Sequence, residues 1–195
     1  MTKNSGRVRV VDSGGSRRTY IIVGAIVALF LAGFIALVVI DARQQAASSP
    51  PGEVQTYDVG PGGEHTQADV DYEQSPPVGG VHNPVWQNAG FYDAPIRDEN
   101  AVHTLEHGAV WIAYSPDLPA DQQDRVRDLV EGQTCMLASP YPDLGSPIVA
   151  SAWGKQLALD DANSPDLERF IRAYRQGPQT PEPGATCTGG TSATQ

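Results

Sequence analysis

Four histidines occur in this chain, and two of them, His103 and His107, lie four positions apart in Ala101-Val102-His103-Thr104-Leu105-Glu106-His107-Gly108. On a helix this spacing puts both imidazoles on one face, one turn apart. Two imidazoles so placed can chelate a transition metal. A third, His82, sits upstream in the loop Gly79-Gly80-Val81-His82-Asn83-Pro84. Three neutral imidazoles suit Zn²⁺ with an open fourth position, or copper. Cys135 and Met136 are candidate soft ligands for Cu(I). On an ideal helix Glu106 points about 100° away from His107. That direction suits a base, or a hydrogen-bonding partner of another ligand, better than a co-ligand. His65, among Gly63, Glu64 and Thr66, reads as a solvated loop residue.

The same residues admit other chemistry. His103-x-x-Glu106-His107 matches an inverted zinc-protease motif, in which two histidines bind zinc, the glutamate activates water and a distant acidic residue completes the site. Glu168 or Glu182 would have to be that residue. The context argues against this reading, because Gly108 follows His107 at once and strand-like residues begin at Val110. Glu106 could instead orient an imidazole while His82 works as a metal-free acid or base. No nucleophile accompanies it, since Ser75 has no Gly-x-Ser-x-Gly elbow. A third reading is structural. Histidines beside turns donate to backbone carbonyls and brace loops, which would make the chain a structural or interaction module. A binding or structural module is favoured over an enzyme. Trp86, Phe91, Tyr92, Trp111, Tyr114 and Trp153 read as packing aromatics of a small sheet rather than as a ligand pocket.

These residues need elements to hold them. Val110–Tyr114 is strand-like by its β-branched and aromatic content. A helix is expected over 120–131, with Val126, Leu129 and Val130 on one face and Gly132 as its C′ residue. Strands follow at 134–138, 148–153 and 156–159. A last helix starts at Ser164 as N-cap with Pro165 at N1, and Leu167, Phe170, Ile171 and Tyr174 form its stripe. The order β-α-β-β-β-α predicts an α+β two-layer sandwich, thioredoxin-like or ferredoxin-like. A thioredoxin-type redox role does not follow, because no Cys-x-x-Cys occurs. Cys135 and Cys187 are expected as a disulfide, with the metal role of Cys135 as the alternative. Pro76, Pro77, Pro140 and Pro142 read as rigid loop braces, and either pair could hold a cis bond.

Residues 20–40 carry no charge and are long enough to span ~30 Å of hydrocarbon. No convincing cleavage site follows, so the run reads as an uncleaved anchor. Residues 1–19 carry Lys3, Arg7, Arg9, Arg17 and Arg18 against Asp12, which places the N-terminus in the cytoplasm and the bulk of the chain outside. The expected layout is a basic cytoplasmic tail (1–19), an anchor (20–40), a stalk (41–63), an extracytoplasmic domain (64–184) and a flexible tail (185–195). From residue 41 onward, 8 Lys/Arg stand against 22 Asp/Glu, a net charge of −14. That balance excludes nucleic acid and anionic lipid headgroups as partners of the domain. The membrane is the one partner that the sequence names.

The combination of Gln74-Ser75-Pro76-Pro77-Val78-Gly79-Gly80-Val81-His82, then Trp86, Gly90 and Tyr92, then the run 101–110, then Ala152-Trp153-Gly154 resembles a known family. It is the membrane-anchored domain-of-unknown-function family three-one-zero-five, typical of actinobacteria. The resemblance spans 72–153 and implies an exported domain behind one anchor, with no established activity. That family often has a serine where this chain has Gly79, so any chemistry of such a serine is missing here.

The expected topology has a direct check. Protease added to intact spheroplasts should digest the chain beyond residue 41 and spare an epitope placed before residue 17. The opposite pattern would overturn the orientation.

Overall fold

A computed structural model describes residues 17–48 and 50–195. Residues 1–16, which hold Lys3, Arg7 and Arg9 of the expected cytoplasmic tail, lie outside the described residues. The chain forms two units, one up to Ala47 and one from Ser48 onward. The first holds α1 (Arg17–Ser48). Its stretch Thr19–Asp41 is long and apolar enough to cross a membrane. Among the described residues, the exposed large apolar side chains belong to α1, apart from Val85. In water such a helix would leave a wide apolar surface uncovered, whereas lipid tails solvate it.

The second unit is α+β around a six-stranded mixed sheet. Its elements are β1 (Gln55–Thr56), β2 (Gly90–Phe91), α2 (Asp98–Glu106), β3 (Val110–Tyr114), α3 (Ala120–Val130), β4 (Met136–Pro140), β5 (Ile148–Ala152), β6 (Lys155–Leu159) and α4 (Pro165–Tyr174). The sheet order is β1-β6-β5-β3-β4-β2. β3 pairs in parallel with β4 through the α3 crossover and antiparallel with β5. β5 and β6 form a hairpin. A parallel β-α-β unit beside an antiparallel hairpin is the thioredoxin-like of the two expected arrangements.

Strand alternation sorts the core. Val110, Ile112 and Tyr114 of β3 face Val126 and Val130 of α3 and Leu167, Phe170 and Ile171 of α4. Trp111 and Ala113 face the other way, onto Ala101, Val102 and Leu105 of α2. The expected helix ends are present. Ser164 accepts from the Asp166 N–H at 3.3 Å, and Gly132 follows α3 at φ 73°. Among the described residues one cis bond occurs, at Ser75-Pro76.

Residues 185–195, expected as a flexible tail, lie along the domain instead. The Ala89 N–H donates to the Cys187 carbonyl, the Thr191 N–H to that of Trp86, and the Gln195 N–H to that of Pro95. These bonds satisfy backbone groups of a loop that has almost no regular structure of its own. Composition alone does not reveal that need. The stretch read as a stalk likewise supplies β1, which pairs with the edge of β6.

Cys135 and Cys187 form the disulfide, across a sequence separation of 52. Replacing both with serine should lower the unfolding free energy by about 2–4 kcal/mol. The readout is the urea midpoint of the full chain in detergent; an unchanged midpoint would mean that the tail is held without the bond.

Candidate metal centre

α2 is an unusual helix because nearly all of it is buried, polar residues included. Glu99, Asn100, His103, Thr104 and Glu106 are buried together with Ala101, Val102 and Leu105. The apolar side seats on the sheet, and the polar side holds loop backbone. Asn100 Nδ2 donates to the Val85 carbonyl at 2.5 Å. Thr104 Oγ1 donates to the Gln87 carbonyl at 2.7 Å. Glu99 Oε1 accepts from the Val70 N–H at 2.8 Å. The helix closes in a Schellman turn, with Ala109 N–H to the Thr104 carbonyl at 3.0 Å and Gly108 N–H to that of Leu105 at 2.9 Å. Gly108 takes φ 93°, and a Cβ there would press on Thr180 and on the Gln176 backbone. Glycine at this position therefore lets His107 end a helix two residues before β3 begins.

The histidines share one device. His82 Nδ1 donates to the Gly80 carbonyl at 2.8 Å, His103 Nδ1 to that of Asn83 at 2.6 Å, and His107 Nδ1 to that of Thr186 at 2.6 Å. A carbonyl only accepts, so each Nδ1 carries the hydrogen. In the neutral ring each Nε2 then presents a lone pair. Burial pushes His103 down to about 4, although its bond to Asn83 pulls the other way. His103 is therefore neutral near pH 7.

Two of those Nε2 atoms face one carboxylate. Glu106 Oε2 lies 3.0 Å from His82 Nε2 and 4.0 Å from His103 Nε2. His82 and Glu106 side chains are both 0% exposed. The other oxygen, Oε1, accepts from the Gly63 N–H at 2.5 Å. A Cβ on Gly62 would collide with that oxygen, so glycine permits the close approach. The His65 ring closes the group from the exposed side, with centroids 4.7 Å from His82 and 5.0 Å from His103. A backbone bridge aligns it: the Thr66 N–H donates to the His82 carbonyl and the His82 N–H to that of Glu64. One ligand atom from each of His65, His82, His103 and Glu106 falls within 4.8 Å of the others.

Of the residues singled out in the sequence, His82 and His103 therefore meet, and Glu106 joins them. His107 diverges, with its Nε2 3.5 Å from Glu182 Oε2. The reason is helical phase. Residues three apart share a face as residues four apart do. His82 approaches from the loop on the side that His103 and Glu106 share. His65 is the member that the sequence reading placed in solvent. Its one available signal was membership in a set of four histidines. The soft ligands are elsewhere. Cys135 is bonded to Cys187, and Met136 packs in the core facing α3 and α4, on the far side of the sheet from α2. Of the two acidic residues offered to complete a protease motif, Glu168 pairs with Arg125 and Arg172, and Glu182 lies beside His107.

A second concavity, a cleft of about 760 Å³, opens at the N-terminal end of α2. Tyr141 OH donates to Asp98 Oδ2 at 3.0 Å, and Ser75 Oγ donates to Tyr141 OH at 3.3 Å. Burial pushes the Asp98 carboxyl up to about 6, against the Tyr141 bond, which lowers it. Because the folded value lies above the unfolded one, the contribution of Asp98 to stability is present below about pH 4 and lost as pH rises through 6. Asp98→Asn keeps the acceptor and removes the charge. It should stabilise the full chain by about 1–2 kcal/mol at pH 7.5, after allowing for the lost helix-dipole interaction. The gain should vanish below pH 4, measured as the difference in urea midpoints; an equal gain at both pH values would refute the burial argument.

A family model described as Protein of unknown function (DUF3105) matches residues 64–189. The match takes in all four histidines, Glu106 and both cysteines, so the candidate centre and the bond that ties the tail lie wholly inside it. No curated protein and no solved structure matches the chain. The matched segment is more than half of the sequence, and the chain belongs to the DUF3105 family.

Proposed function

We propose that this protein is a membrane-anchored, extracytoplasmic binding module for a divalent transition metal, Zn²⁺ or Cu²⁺. His82, His103 and Glu106 would form the buried part of the centre and His65 its exposed part. One observation carries the reading: in the tautomer fixed by the Asn83 carbonyl, neutral His103 turns a lone pair toward a buried carboxylate that His82 also faces. A divalent cation placed between these groups would neutralise the buried carboxylate and use both ring nitrogens as ligands. No lysine or arginine pairs with Glu106 among the described ion pairs.

The donor set fits this class of ion. For bonds of ~2.0–2.1 Å, tetrahedral geometry puts neighbouring donors ~3.4 Å apart. On binding, the 3.0 Å His82–Glu106 separation, a hydrogen-bond distance, would open and the 4.0 Å His103–Glu106 separation would close toward that value. Imidazole and carboxylate suit zinc and copper(II), whereas Cu(I) prefers the sulfur ligands that this site lacks. The Nδ1 bonds to Gly80 and Asn83 are the outer contacts that fix ring orientation at metal sites. When bound, the metal would supply charge neutralisation and a fixed link between α2 and the two loops it holds. The acidic domain raises the local concentration of cations. α1 would keep the centre at the membrane surface.

The test uses the full chain, purified in mild detergent without a polyhistidine tag and reconstituted with Zn²⁺ or Cu²⁺. At least one equivalent should survive desalting and raise the melting temperature, and chelator should reverse the rise. Glu106→Gln and His82→Ala should each abolish that retained equivalent. A wild-type protein that retains no ion, with chelator leaving its melting temperature unchanged, would reduce the histidines to loop braces.

A further inference from the structure

His107 does not join the buried group, yet it is built by the same rule. Its Nδ1 hydrogen is engaged by the Thr186 carbonyl at 2.6 Å, which turns Nε2 to the opposite side of the ring. The group facing that nitrogen is Glu182 Oε2, at 3.5 Å. That separation is longer than an ordinary N–H···O bond of ~2.9–3.0 Å. It is close to the ~3.4 Å between two donors on one tetrahedral ion with ~2.1 Å bonds. The His107 side chain is 5% exposed and that of Glu182 is 50% exposed, so the pair has a buried end and an open end. The Glu182 N–H donates to the Glu106 carbonyl at 3.2 Å, which fixes this residue beside the end of α2.

The pair also borders the first centre. The His107 and His103 rings stand edge to face with centroids 4.6 Å apart. The Trp86 ring lies 5.0 Å from His107 and 5.6 Å from His103, over both. We infer that His107 and Glu182 form a second, solvent-facing position for a divalent transition ion, completed by water and adjoining the buried centre across His103. Two protein ligands hold an ion less firmly than four, so this position exchanges faster. It gives the buried centre a neighbouring site at which an ion sheds part of its water before reaching a dry pocket. The inference rests on the proposed function for the identity of the ion, not for the geometry of the pair.

Equilibrium dialysis and electron paramagnetic resonance of the full chain in detergent with Cu²⁺ separate the two. Wild type should bind two equivalents, one tight and one weaker, with a dipolar-broadened signal from neighbouring ions. Glu182→Gln alters a half-exposed side chain and should remove the weaker equivalent and the broadening while leaving the tight one. His107→Ala should do the same, and Glu106→Gln should remove the tight one alone. A single equivalent in wild type, or a weaker equivalent indifferent to Glu182→Gln, overturns the second position. A tight equivalent indifferent to Glu106→Gln instead overturns the buried centre.

Discussion

The domain depends on one buried polar contact surface, the side of α2 that holds loop backbone. The segment from Gly79 to Gly90 carries little regular structure and lies partly inside the protein. Its carbonyl groups need donors, and α2 supplies them from Asn100, His103 and Thr104. Each such bond contributes modestly, while each one left unmade in the interior would cost more. The histidine cluster follows from this arrangement. Once Gly80 and Asn83 take the Nδ1 hydrogens of His82 and His103, the Nε2 atoms are turned toward Glu106.

The loop brace and the proposed metal centre would use opposite sides of the same rings. The Nδ1 side orders the loops. The Nε2 side faces a carboxylate that the Gly63 N–H holds by its other oxygen. A protein that needed only the brace could place asparagine or glutamine there and avoid burying an acid. The presence of Glu106, fully buried with imidazoles as its side-chain partners, is what tilts the balance toward a cation.

Much of the scaffold was legible from local rules. β3 announces itself by Val110, Trp111, Ile112 and Tyr114, and α4 by Ser164, Pro165 and its apolar stripe. α4 buries one face against the sheet, which periodicity records directly, and β3 is buried on both faces, which its unbroken apolar run records. The site was legible in part. His82 and His103 stand out as types, but their meeting point depends on a loop whose path is set by long-range bonds. Glu106 was measured against His107 when its partner on the helix is His103, three positions back. His65 joins through a backbone bridge to residue 82, a contact across 17 positions that no pattern within either segment encodes. The tail from 185 onward looks loose in composition because its fixation is by backbone groups, which every sequence carries alike.

The Cys135–Cys187 bond has a bearing on the order in which the molecule matures. Thr186, whose carbonyl orients His107, is the residue immediately before Cys187. While both thiols remain reduced, the segment that carries this carbonyl is held by hydrogen bonds alone. Closing the bond fixes the residue next to that carbonyl, so the setting of the His107 ring is coupled to the redox state of two cysteines far apart in sequence.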